Sequence, residues 1–122
     1  MHVTLLGTGT STGIPVIGCA CRVCRSSDPR DQRTRCACLI QVDGMAILID
    51  VGPDFRRQAL REGMTRLDAV LLTHHHFDHI VGMDDLRAFF FENGHAIPVY
   101  ARPNTAEVVR DTFRYIFRDG SY

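Results

Sequence analysis

The hydrophobic and polar positions change period several times along the chain, and each change predicts an element. Residues 2–6 alternate weakly and are rich in β-formers, so they predict a strand running into the glycine-rich turn Gly7 to Gly13. Residues 14–35 show no period, carry Pro15, Gly18 and Pro29 among five arginines, and predict a long irregular loop. The segments Ala37 to Val42 and Met45 to Asp50 flank Asp43-Gly44, a dipeptide typical of a two-residue hairpin turn. Residues 54–62, with Phe55 and Ala59 on one side and Gly63 behind them, predict a short helix. The apolar run Ala69 to Thr73 reads as a strand covered on both faces. A second helix is expected from about Met83 to Glu92, stopped at Asn93-Gly94, followed by a short strand over 97–100 whose Pro98 favours an edge or a strand start. Asn104 and Glu107 have capping-box spacing at the head of a last helix, where Val109, Phe113, Ile116 and Phe117 form a stripe for the core. Strands alternating with helices give an α/β layered fold, a mixed β-sheet with flanking helices.

Composition narrows the class. The 122 residues are 45% hydrophobic and 23% charged, which describes one globular domain and excludes a disordered or collagen-like chain. No apolar run approaches the ~18 residues of a membrane span, so no membrane partner is expected. Fourteen acidic residues balance fourteen basic ones, so overall charge draws the chain to neither nucleic acid nor an anionic membrane. Any attraction is local: Arg22, Arg25, Arg30, Arg33 and Arg35 make the long loop basic, enough to steer a phosphate or simply to solvate the loop. Every basic residue is arginine, which rules out a Schiff-base lysine and a P-loop. Met1 to Leu6 lack a basic stretch followed by an apolar one, so a cytoplasmic location is expected.

Candidate chemistry falls in two clusters. Four of the six histidines and one carboxylate lie in His74-His75-His76-Phe77-Asp78-His79, directly after a predicted strand. In extended backbone His74 and His76 point the same way, and Asp78 and His79 follow as the chain turns, so the run can offer ligands to two neighbouring metal ions. His75 is expected to face away, and His2 and His95 have no partner in sequence. Asp85 could hydrogen-bond ligand or loop groups, although Asp84 and Asp85 also suit a helix N-terminus. The second cluster is Cys19, Cys21 and Cys24, whose C-x-C-x-x-C spacing can wrap one tetrahedral zinc with one position left over. Cys36 and Cys38 read as small buried hydrophobes, with Cys36 as an alternative fourth sulfur. Gly7, Gly9 and Gly13 suit either close backbone approach to an anion or a structural turn.

The H-x-H-x-D-H run, the strand ending in Asp50 ahead of Gly52-Pro53-Asp54, and the opening Gly7-Thr8-Gly9 together resemble metallo-β-lactamase-fold hydrolases. Within that superfamily, Gly7 to Gly13, Cys19 to Cys24, Asp28-Pro29-Arg30 and Gly82 to Arg87 are most similar to the branch containing phosphoribosyl cyclic phosphate phosphodiesterase. The resemblance implies that His74 and His76 bind one metal ion, Asp78 and His79 a second, and that Asp50 orients the cluster. It implies two divalent ions, zinc or manganese, and one structural zinc on Cys19, Cys21 and Cys24 with a histidine from elsewhere as fourth ligand. It further implies hydrolysis of a small cyclic or nucleotide-like phosphodiester by a metal-bound hydroxide, with Asp78 as candidate proton acceptor and nucleic acid not favoured as substrate. The family completes its site with further histidines and a bridging aspartate that this sequence lacks after His79. The chain is therefore expected to be the amino-terminal half of an αββα sandwich, one truncated domain over 1–122 that binds metal weakly alone unless a homodimer or another chain completes it. The alternatives are a non-catalytic metal-binding half-domain, or a hydrolase or nuclease of the same fold with another substrate.

Overall fold

The computed structural model describes residues 1–118, apart from the side chains at positions 92 and 93. Among these, five strands form one mixed sheet in the order β1 (His2–Gly7), β2 (Ala37–Val42), β3 (Met45–Ile49), β4 (Ala69–Leu71) and β5 (Val99–Tyr100). The first three run antiparallel, and β3, β4 and β5 run parallel. Asp43 and Gly44 both take left-handed φ, 51° and 78°, which lets two residues reverse the chain with the twist that the flanking strands need. Each parallel step needs a crossover: α1 (Phe55–Arg61) joins β3 to β4, and α2 (Phe77–Ile80), a 3₁₀ segment over Val81–Leu86 and α3 (Arg87–Asn93) join β4 to β5. β1, β3, β4 and β5 therefore end at one edge of the sheet, where Gly7 to Gly13, Asp50 and Thr73 follow them. A last helix, α4 (Pro103–Thr112), adds Val109 to the core, and Phe113 follows just beyond its end.

Side chains alternate along each strand, and the two faces differ. Leu39, Leu48 and Val70 lie in register and are at most 4% exposed, under Phe55, Ile80, Met83, Leu86, Phe89, Val109 and Phe113. Shifting one position along each strand gives the row Leu5, Cys38, Ile49, Leu71 and Tyr100, in register across the whole sheet. Leu5 is 64%, Leu71 39% and Tyr100 57% exposed, so this second face is apolar and open among the described residues.

Several expectations change. The strand at 69–73 ends at Leu71 and is covered on one face only. The helix expected from about Met83 starts earlier, as a short α2 and a 3₁₀ stretch, where the Gly82 N–H donates to the Val51 carbonyl instead of back along the helix. At α4 Asn104 is not the cap: Arg102 holds that place, Pro103 fills the first turn and no side chain caps the helix. Phe117 is 47% exposed rather than core, since the helix has ended by then. Residues 119–122 lie outside the described residues, and no described helix is long and apolar enough to cross a membrane.

Candidate metal centre

The edge of the sheet builds the histidine cluster from beneath. The Asp50 N–H donates to the Leu71 carbonyl at 2.9 Å and ties the end of β3 to β4. Asp50 sits at φ 61°, a left-handed conformation that aspartate tolerates better than most residues, and is 4% exposed. Its carboxylate accepts from the Thr73 backbone N–H at 2.8 Å, from Thr73 Oγ1 at 2.7 Å and from His79 Nδ1 at 2.7 Å. Three donors satisfy a buried carboxylate that would otherwise be costly.

These hydrogen bonds orient two of the rings. A carboxylate can only accept, so the single Thr73 hydroxyl proton goes to Asp50, and Thr73 Oγ1 must accept from His74 Nδ1, 2.9 Å away. His79 Nδ1 likewise donates to Asp50. In its neutral form each ring therefore carries its proton on Nδ1 and presents an Nε2 lone pair, the tautomer that metal-ligating histidines use. The ring centroid of His74 lies 4.0 Å from that of His79 and 4.6 Å from that of His76, so His74 is flanked by the other two imidazoles, although among the described residues no three of these side chains bring their donor atoms within 4.8 Å of one another. Burial, and then the imidazoles of His79 and His76, hold the His74 pKa below its usual value and favour the neutral form that binds metal.

The donor set fits a divalent cation. His79 Nε2 lies 3.3 Å from Asp78 Oδ2. A ring nitrogen and a carboxylate oxygen thus stand side by side, a spacing that a shared cation can bridge. Two ligands at about 2.1 Å from one tetrahedral ion stand about 3.4 Å apart, close to this separation.

Sequence reasoning overlooked three supporting residues. Thr73 couples Asp50 to His74. Gly52 and Gly82 let the histidine turn seat on the end of β3: Val51 N–H donates to the His79 carbonyl at 2.8 Å and Gly82 N–H to the Val51 carbonyl at 2.9 Å. A Cβ on Gly52 would collide with the Asp78 carbonyl, and one on Gly82 with the Gly52 carbonyl. The available signal was a glycine placed just after a strand with no turn to explain it.

The other candidates settle as follows. His75 is half-buried with its ring edge-on to His76 at 5.8 Å, and its Nδ1 is buried without a hydrogen bond among the described residues. Asp85 does not reach the histidines; it lines a groove between α1 and α3 beside Phe55 and Phe89. Asp84 accepts from Tyr115 Oη at 3.1 Å and pairs with Arg87 at 3.5 Å. Gly7 and Gly9 serve a structural turn, since a Cβ on either would strike the carbonyls of the long loop. His2 and His95 are exposed.

The cysteines form a separate group. The sulfurs of Cys19, Cys21 and Cys24 all lie within 4.8 Å of one another on the irregular loop, with Cys19 and Cys21 exposed. The Cys21 thiol is lowered to about 7, chiefly by the Cys24 backbone N–H and then by Cys19. Three thiols leave one position of a tetrahedral zinc unfilled. Cys36 is not in this group, and it is exposed, contrary to the expected buried hydrophobe. Cys38 is half-buried on the open sheet face, where burial and the neighbouring Cys36 push its thiol up.

Known proteins share this architecture over part of their length. A protein of Porphyromonas gingivalis named octanoyltransferase is 54% identical over 123 residues, covering 100% of this chain and 25% of its own length. The crystal structure of a new diphosphatase from the PhnP family superposes at a TM-score of 0.91 with 51% identity, over 94% of this chain and 46% of that one. Zinc-bound PqqB from Methylobacterium extorquens superposes at 0.80 with 27% identity, over 98% of this chain and 43% of that one. The chain thus spans a quarter of the first relative and less than half of each solved structure. The profile of the beta-lactamase superfamily domain matches residues 46–121, from β3 through the histidine cluster to α4, and with the mixed sheet beneath that cluster it establishes that this chain belongs to the β-lactamase superfamily, in its metallo-β-lactamase fold.

Proposed function

We propose that the chain is one half of a metal-dependent hydrolase acting on a phosphorus ester, most specifically a small cyclic or nucleotide-like phosphodiester. The observation that carries this reading is the Asp50–Thr73–His74 and Asp50–His79 arrangement, which holds two imidazoles through Nδ1 and leaves His79 Nε2 3.3 Å from the Asp78 carboxylate. In it His74 and His76 hold one divalent ion, Asp78 and His79 a second, and Asp50 fixes ring orientation and tautomer. Zinc or manganese bound there would acidify a water and polarise a phosphoryl oxygen. Asp78 takes the proton from the attacking water, and the hydrogen-bonded rings cannot swing away as charge develops. The diphosphatase relative supports phosphorus chemistry, and the zinc-bound relative supports the metal. The name of the octanoyltransferase belongs to a protein four times the length of the match and does not bear on this cluster.

The histidine motif supplies four donors, and the open apolar face of the sheet is the surface against which a second half, whether further chain or a partner subunit, would pack. The isolated residues 1–122 should therefore hold metal weakly and turn over little. Elemental analysis beside native mass spectrometry, with hydrolysis of bis(p-nitrophenyl) phosphate in each assembly state, tests this. Divalent ions lost on His76→Ala, and turnover confined to assembled species, are expected. Metal content indifferent to both His76→Ala and Asp78→Ala would remove the reading. Metal that is lost on His76→Ala without turnover in any assembly would leave a non-catalytic metal-binding half-domain, the reading that the short donor set favours.

A further inference from the structure

A cleft of about 220 Å³ opens between the long loop and α1, with none of the clustered histidines in its lining, which includes Gly13, Arg33, Arg35, Asp54, Arg57 and Arg61. Four guanidinium groups face one carboxylate. Arg35 is matched by Asp54, with Nη1 3.0 Å from Oδ2 and its Nε donating to the Ser11 carbonyl at 2.8 Å. Arg61 pairs with Glu62 at 2.7 Å and donates to the Leu6 carbonyl at 2.7 Å. Arg33 has no acidic partner among the described residues; its Nη1 donates to Thr8 Oγ1 at 2.9 Å, which holds the head in place. Arg57, exposed on the first turn of α1, makes no side-chain hydrogen bond or ion pair among the described residues. Two arginines without an acidic partner among the described residues thus line one polar cleft, in a chain whose formal net charge is +0.

Guanidinium is the cation best matched to a tetrahedral oxyanion, because its planar fork can donate two parallel hydrogen bonds. Arg35 and Arg61, already fixed by Asp54, Glu62 and backbone carbonyls, give the walls a set shape at small further entropy cost. We propose that this cleft binds the phosphate group of a small phosphorylated molecule, with Arg33 and Arg57 as its principal ligands and the ordered Arg35 and Arg61 completing the wall. The site is distinct from the histidine cluster and does not depend on metal being bound there.

Pyrophosphate titrated into the full 122-residue chain, followed by calorimetry and amide chemical shifts, tests the assignment. Saturable one-to-one binding is expected, with shifts centred on Gly13 and Arg57. Arg57→Gln and Arg33→Gln should each weaken it about tenfold or more, while Arg110→Gln, an exposed arginine on α4, should leave it unchanged. The His76→Ala chain should bind as well as the unsubstituted one, which separates this site from the proposed metal centre. The assignment is overturned if binding vanishes in His76→Ala, if Arg110→Gln weakens it as much as Arg57→Gln, or if no saturation is reached. It is also overturned if a single-stranded oligonucleotide displaces pyrophosphate at equal phosphate concentration, because the occupant would then be a nucleic-acid backbone. Thermal melts of each variant confirm that these surface substitutions leave the fold intact.

Discussion

The histidine cluster and the cysteine loop both gather metal-binding side chains, and they do so by opposite means. His74 and His79 are held through something buried, Asp50 at 4% exposure, on the parallel step from β3 to β4 and the glycine contacts that seat the turn, while His76 is exposed. The cysteines sit on a segment whose only regular element is the short 3₁₀ turn Pro29–Asp31, and two of the three are exposed. Preorganisation in the first is supplied by the fold before any ion arrives, whereas in the second an ion would itself have to organise the loop. The contrast teaches that a ligand motif in sequence says which atoms are offered and little about how rigidly they are held.

Substitution at Asp50 should break the first region most severely. Asp50→Ala leaves the Thr73 N–H and hydroxyl and the His79 Nδ1–H without their acceptor in a buried place, and should cost about 3–5 kcal/mol, read as a large drop in thermal midpoint. Asp50→Asn keeps a residue tolerant of left-handed φ and should lose less stability, yet it should weaken metal binding about 10–100-fold, because its amide can donate where the carboxylate only accepted.

The cysteine loop should respond the other way, to metal more than to mutation. Zinc at about a hundred times its dissociation constant should add about 2.7 kcal/mol of stability, and Cys21→Ala should abolish that gain while changing the metal-free melt by under about 0.5 kcal/mol. Without zinc, alkylation by iodoacetamide should rise with a midpoint near the lowered Cys21 value of about 7 and be suppressed by zinc; an unprotected thiol would show that no ion binds there.

Gly52→Ala sharpens the contrast without touching a ligand. It should cost about 1–3 kcal/mol and loosen the histidine cluster alone, seen as amide shifts at residues 74–79 with residues 19–24 unchanged.

The smallest effect is expected at Asp68, outside both regions. The Arg66 guanidinium and then the Ala46 N–H hold its carboxyl below the usual carboxylate value. A carboxyl lowered in the folded state stabilises fully above its unfolded pKa and loses that contribution as pH falls through the folded value. Asp68→Asn should therefore flatten the stability curve below about pH 4 by under about 1 kcal/mol, since the pair is partly solvated.

Much of this was legible from the chain. Asp43-Gly44 demanded two left-handed residues and therefore a hairpin, and the spacing of His74, His76, Asp78 and His79 after an apolar run pointed to one group of neighbouring donors. Local chemistry and period suffice for such features, because each is decided within a few residues. The sheet's open face was not legible: Leu71 and Tyr100 are apolar, and a run of apolar residues reads the same whether one face or both are covered. Cys36 was misread for the same reason, since burial at a strand start depends on what lies across the sheet. Nor could sequence show that Thr73 links Asp50 to His74, or that Arg57 joins Arg33 across 24 residues, because both depend on where the β3–β4 step and α1 place distant segments. Sequence determined which donors, turns and charges this protein has. Tertiary structure decided which protons those donors carry and which charges go uncompensated, because both depend on neighbours that only the folded chain brings within hydrogen-bonding distance.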